Sequence, residues 1–140
     1  MNVIILGCSR VGAMVAGWLS AKGDDVTVVD LDESSFNRLD KDFKGETIAG
    51  NGTDIEVLLQ AGIKKADAFI GVTDSDNTNI MAAQLVREKF KTKKILIRVY
   101  GPQRAKTFEE IGLNIICPTV TIANEIKGFL LKEGLPGQGA

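Results

Sequence analysis

The sequence predicts a doubly wound α/β fold: a Rossmann-like, six-stranded parallel sheet in the order 3-2-1-4-5-6, with helices on both faces. Three observations lead there. Short, nearly continuous apolar runs recur along the 140 residues, the mark of strands buried on both faces. Between them lie segments whose apolar residues recur at helical spacing. The first strand runs into a glycine-bearing turn that opens a helix, as the first βα unit of such folds does. Strands alternating with helices imply right-handed crossovers, and these leave few topologies.

The elements follow in order. "NVIIL" is the first strand and ends at Gly7. Val11, Met14, Val15, Trp18 and Leu19 then keep helical spacing, and Gly23 stops that helix. "DVTVVD" is the second strand. Ser34 to Phe43 reads as a helix with Phe36, Leu39 and Phe43 on one face, and "ETIAG" as a brief third strand. Thr53 and Glu56 have capping-box spacing, so a short helix is expected from Thr53 to near Gly62. "ADAFIGVT" is strand four, Ile80 to Phe90 a helix, and "KILIRVY" strand five. Gln103 to Ile111 forms another helix, "LNIICP" the sixth strand, and Ile122, Ile126, Phe129 and Leu130 an apolar stripe on a last helix. That helix is a candidate for packing on another subunit, or its stripe covers the domain's own sheet; one face is expected to be intramolecular, with Val120, Ala123 and Leu131 on a second, spare face. The domain is read as residues 1–133, and "GLPGQGA" supplies a tail or linker stub at 134–140.

Composition narrows the chemistry. No apolar run approaches the ~20 residues of a membrane span, and the N-terminus lacks the pattern of a signal peptide; a cytoplasmic protein is expected. A net charge of −1 without a basic stripe argues against nucleic acid. The two cysteines, Cys8 and Cys117, have no metal-ligand spacing and read as small buried hydrophobes. Histidine is absent, which removes the usual imidazole acid-base and metal chemistry. No catalytic residue and no metal site are expected.

The turn "GCSRVG" departs from G-x-G-x-x-G, because Ser9 stands where the middle glycine belongs. Gly7 lets the chain turn, and Gly12 lets the helix lie close. The helix mouth offers unpaired N–H groups and partial positive charge to a phosphate. Ser9 is small but occupies the space a glycine would leave, trading closeness to the phosphate for a hydroxyl that can donate to it. Arg10 is placed for a charge-assisted phosphate contact. Asp30, at the end of the second strand, is placed to accept from both ribose hydroxyls of an adenosine. A carboxylate there repels a 2′-phosphate, so NADP is disfavoured. NAD, ATP, ADP and AMP share the free ribose diol and stay undistinguished. Asp32 either shares the ribose role or caps the next helix.

These segments, together with "VVDLDE", "AGNGTD", "VTDSDNTNI" and "IRVYGPQRAKTFEEIGLNIICP" in this order, resemble the N-terminal nucleotide-binding domain of the Trk/Ktr potassium-uptake regulators, the TrkA-N or RCK domain. The resemblance covers nearly all of the sequence. It implies that Gly7, Cys8, Ser9, Arg10 and Val11 hold phosphates and that Asp30, flanked by Leu31 and Asp32, holds the ribose. It puts Asn51, Gly52 and Thr53 near the adenine, and Val72, Thr73 and Asp74 along the crevice between strands one and four. Arg98 is either a second arginine near the phosphates or the neighbouring subunit, or a surface strand residue. Ser9 weakens the case for tight NAD binding more than for a mononucleotide. Family members often carry a smaller regulatory domain after the last helix, and none is read within these 140 residues.

The function so implied is regulatory, not enzymatic. An adenine nucleotide (NAD or NADH, ATP, ADP or AMP) would bind and act on a membrane potassium channel or transporter. The protein would be peripherally attached to that partner and assembled as a homodimer or ring. The rival reading is the cofactor-binding fragment of an NAD-dependent oxidoreductase. It lacks a substrate pocket and a placed acid-base group, with only Lys, Asp or Tyr100 available.

Overall fold

A computed structural model describes residues 1–131. Its six strands are β1 (Asn2–Leu6), β2 (Asp25–Asp30), β3 (Glu46–Ala49), β4 (Ala68–Gly71), β5 (Lys94–Arg98) and β6 (Asn114–Ile116). All pair in parallel in the order β3-β2-β1-β4-β5-β6, as the apolar runs predict. The helices are α1 (Arg10–Ala21), α2 (Ile55–Gln60), α3 (Asp76–Phe90), α4 (Pro102–Glu110) and α5 (Pro118–Leu130). None of them is long and apolar enough to cross a membrane. Residues 134–140, read as a tail, lie outside the described residues.

Strand alternation divides the core into two layers. Ile4 and Leu6 of β1, Phe69 of β4 and Ile95 and Ile97 of β5 meet the inner faces of α3 and α4. Val3 and Ile5 of β1 and Val26 and Val28 of β2 meet Ala16 and Leu19 of α1. On this second face α1 lies over β1 and β2. Beyond β1 the same face is thinly covered: Ile70 and Leu96 are half-buried and Ile116 is exposed.

Four local expectations change. Residues 34–43 do not form one helix. A 3-10 helix spans Glu33–Arg38 and stops at Leu39, whose backbone is extended. Continuing would have set Asp40 and Asp42 at a helix C-terminus, where the macrodipole disfavours acids. Phe36, Leu39 and Phe43 still pack against the α1-side core. The α2 cap is Asp54, not Thr53, because the Thr53 hydroxyl donates to Asn51 Oδ1 at 2.7 Å. Helix α3 starts four residues before Ile80, at Asp76, with Ser75 as its cap. The largest change concerns α5. It buries none of its residues, so its stripe does not cover the chain's own sheet. Periodicity marks an apolar face without saying what meets it.

Candidate functional site

At the carboxyl end of the sheet the strand order reverses between β1 and β4. Such a switch point leaves a crevice, because the connections on either side run to opposite faces. A cavity of about 670 Å³ opens there. The β1–α1 turn forms its floor. Gly7 has φ +106°, and a Cβ on it would lie 2.7 Å from backbone atoms of Val72 and Thr73. A Cβ on Gly12 would collide with the Gly7 carbonyl oxygen. Each glycine therefore fits because no side chain does.

Ser9 is the N-cap of α1. Its Oγ accepts from Gly12 N–H at 3.2 Å and donates to the Val72 carbonyl at 2.9 Å. That hydroxyl proton is spent inside the protein, which corrects the expectation that it meets a phosphate. The N–H groups of Ser9, Arg10 and Val11 have no acceptor among the described residues. They are the orphan donors of a helix start, directed where an anion would sit. The exposed Arg10 side chain forms no ion pair among the described residues and lines the cavity.

Asp30 closes the β2 side. Its Oδ2 accepts from Cys8 N–H at 2.7 Å and its Oδ1 from Asp32 N–H at 2.8 Å. A carboxylate has about four lone-pair sites, so acceptor capacity remains for a diol. Asp32 caps the 3-10 helix, accepting from Ser34 N–H at 3.0 Å and Ser34 Oγ at 2.7 Å. The Ser34 hydroxyl and then its N–H hold the Asp32 carboxyl below the usual range. Leu31 stands between the two acids, largely exposed at the rim. Cys8 lines the cavity with its backbone environment, while its side chain is fully buried in the α1-side core. Burial, then the Asp30 charge, pushes its thiol up.

Asn51 and Gly52 line the β3 side, and Thr73 and Asp74 the β4 side. Thr53 and Val72 do not line the cavity. Thr53 folds onto the Asn51 carboxamide, and Val72 is buried beneath the turn. Arg98 is not a surface residue. It is 7% exposed, and its Nη2 donates to the carbonyls of Val72 at 2.8 Å and Thr73 at 3.2 Å. Its guanidinium lies 5.0 Å from the Tyr100 ring centroid, and its Nε is buried without a partner among the described residues.

Sequence reading missed three contributors. Arg38 lines the cavity and donates to the Cys8 carbonyl at 3.0 Å. Buried Asn79 accepts from Thr73 N–H and Oγ and donates to the carbonyls of Thr73 and Arg98. Tyr100 forms part of the far wall. Only the run "DSDNTN" hinted at Asn79, and nothing local marked Arg38.

The arrangement suits a ligand with an anionic group and a vicinal diol. Free N–H donors and Arg10 line it on the α1 side, and the Asp30 carboxylate stands on the β2 side. No histidine is present in the sequence.

Comparison with known proteins agrees with this architecture. The sequence profile of the TrkA-N domain matches residues 3–118. The Trk system potassium uptake protein TrkA of Streptomyces coelicolor is 37% identical over 134 residues, covering 96% of this chain and 60% of the relative. The TrkA homolog of Methanothermobacter thermautotrophicus is 34% identical over 133 residues, covering 94% of this chain and 61% of its own length. The chain thus spans about three-fifths of these relatives. Among solved structures, the GsuK RCK domain superposes with a TM-score of 0.77 at 25% identity, over 94% of this chain and 28% of that one. The AMP-bound C-terminal domain of Shewanella denitrificans Kef gives 0.77 at 22% identity, over 94% and 82%. The NAD-bound GsuK channel gives 0.73 at 21%, over 91% and 23%. The last two likenesses are of fold.

Proposed function

The chain belongs to the TrkA-N domain family, and from that premise we propose that it binds an adenine nucleotide at the switch-point cavity and thereby regulates a membrane potassium transporter or channel. The observation that carries this reading is the convergence of three unpaired N–H groups and the Asp30 carboxylate on one cavity. Phosphate sits on the N–H groups of Ser9, Arg10 and Val11, with the Arg10 guanidinium beside it. The ribose diol donates to Asp30. Adenine lies toward Asn51 and Gly52, with Thr53 bracing Asn51 from behind. Thr73 and Asp74 border the far half, where a longer ligand such as NAD continues. Arg98 lines the same cavity and holds the carbonyls of Val72 and Thr73 in place.

NAD, NADH, ATP, ADP and AMP all satisfy this pattern, and NADP fits it least because its 2′-phosphate would meet Asp30. The AMP-bound Kef domain and the NAD-bound GsuK channel support the ligand class. The names of the Trk relatives support a potassium-uptake partner; a cytoplasmic place at the membrane face and self-assembly into a dimer or ring belong to the same proposal. The domain works by binding, not by turnover. A ligand shifts such an assembly only through its difference in affinity for two states.

A thermal-shift panel tests the reading. At about a hundredfold excess over Kd, mass action adds about 2.7 kcal/mol, a rise of several degrees in Tm. AMP and NAD should produce it, NADP least, and Asp30→Ala should abolish most of it. Equal stabilisation by NADP and NAD, or an undiminished shift in Asp30→Ala, would place the ribose elsewhere.

A further inference from the structure

Six lysines gather at the amino end of β4 and β5, opposite the cavity. Lys64 and Lys65 close a short 3-10 helix, Ile63–Lys65, that leads into β4. Lys89 lies in the last turn of α3, Lys91 is its C-cap, Lys93 follows in the connection and Lys94 opens β5. In the sequence these are two separate segments. The fold joins them: Lys94 pairs with Ala68 in the β4–β5 register, and its N–H donates to the Asp67 carbonyl at 3.3 Å. All six lysines are exposed, and none forms an ion pair among the described residues. Two acids are interleaved with them. Asp67 Oδ2 accepts from Asn2 N–H at 2.7 Å, and Glu88 faces Arg87 at 3.9 Å. Glu109 and Glu110 stand at the end of α4, the helix that packs on β6. The α3 dipole favours a cation at Lys89 or Lys91. It gives no reason for Lys64, Lys65, Lys93 or Lys94.

We propose that this end of the sheet is a docking surface for an anionic lipid bilayer, held by charge and without insertion. The inference rests on the membrane-face part of the proposed function, not on nucleotide binding. Basic clusters of this size bind anionic lipid surfaces. The cationic groups are lysines, point charges on long flexible stems. They suit a fluid layer of headgroups better than one fixed phosphate, for which the planar fork of arginine is the better match. Ile63 and Ile95 beneath them are buried and Phe90 packs on the core, so these side chains do not project to enter the bilayer. The charge of the whole chain agrees. Its net charge is −1, so the lysine excess at this end is balanced elsewhere. Asp30, Asp32, Asp54, Asp74 and Asp76 stand at strand ends and helix starts, at the carboxyl end of the sheet. An anionic surface attracts one end of such a molecule and repels the other. The docked chain therefore turns its cavity toward water, open to nucleotide.

Co-sedimentation of the full chain with vesicles tests this. One set is phosphatidylcholine alone, and the other contains about one-third phosphatidylglycerol. The wild type should bind the anionic vesicles at about 0.05 M salt, ignore the neutral ones and come off at about 0.5 M. Each lysine near such a surface is worth about fivefold in affinity, so Lys64→Gln, Lys93→Gln and Lys94→Gln together should weaken binding about a hundredfold. A control chain with Lys41→Gln, Lys106→Gln and Lys127→Gln loses the same charge from exposed positions on other segments and should keep most of its binding. Circular dichroism melting checks that both variants fold. Absence of binding to the anionic vesicles overturns the proposal. So does equal binding to neutral vesicles, or an equal loss in the two triple variants. Tighter capture by polyglutamate or by a short DNA duplex at the same ionic strength would make the occupant a protein or a nucleic acid, and overturns it as well. Each of these outcomes leaves nucleotide binding standing, because the thermal shift reads it separately and without lipid.

Discussion

Both oxygens of the Asp30 carboxylate accept backbone N–H groups, one from the turn at Cys8 and one from Asp32. The acid that would grip a ribose therefore also fixes the turn that would grip a phosphate. Loss of Asp30 should loosen the empty cavity as well as remove a ligand contact. Beneath it the Cys8 thiol sits in the core, raised above its ordinary value of 9.0 first by burial and then by the Asp30 charge. The neutral thiol is the form that folding favours. The unfolded chain thus loses this proton first as pH rises, and the stability contribution is intact below about 9 and is lost above it. Urea unfolding at about pH 8 and about pH 10 should show a smaller alkaline loss in Cys8→Ala than in the wild type. Equal losses would assign the alkaline limb to other groups.

Caps decide where helices begin in this chain, and two of them build the site. Ser9 caps α1 and ties the turn to β4 through Val72. Its helix start then presents backbone donors, not a hydroxyl, to the cavity. Ser9→Ala should cost about 1 kcal/mol of stability in urea unfolding. AMP affinity should change little, since the phosphate donors are main-chain groups. A loss of about tenfold, about 1.4 kcal/mol, would return the hydroxyl to the phosphate. Ser75 caps α3 in the same manner, and Asp76 in its first turn accepts from Tyr100 and Gly101 N–H at 2.9 and 3.2 Å. The α3 start thereby holds the β5 end that carries Arg98 and Tyr100.

Across the whole molecule, the cavity lies over the seam between two core layers, one packed by α1 and the other by α3 and α4. Arg98 crosses that seam from β5 to the carbonyls that follow β4. Arg98→Met keeps much of the volume and removes charged hydrogen bonds worth about 1.5–3 kcal/mol each. Urea unfolding should show a loss on that scale with the fold retained. A neutral result would mean that the guanidinium serves the ligand and not the frame. The thinly covered sheet face beyond β1 and the exposed α5 stripe belong to this scale too, because neither is visible until every other layer is in place.

The sequence by itself determined the alternation of strands and helices, the sheet order, the glycine turn and the acid at the second strand's end. Each rests on local rules: a period of two or 3.6, a left-handed backbone at Gly7, a fixed step along one βα unit. Tertiary structure alone decided what each polar group does and which apolar face is covered. Ser9 becomes a cap because Val72 lies opposite it, and Arg98 is buried because two carbonyls wait there. Arg38 and Asn79 enter the site region only through distant partners. The α5 stripe reads as core by its spacing, yet no surface among the described residues buries it. Periodicity reports which side chains share a face, and only the packed chain fixes the neighbour on the other side.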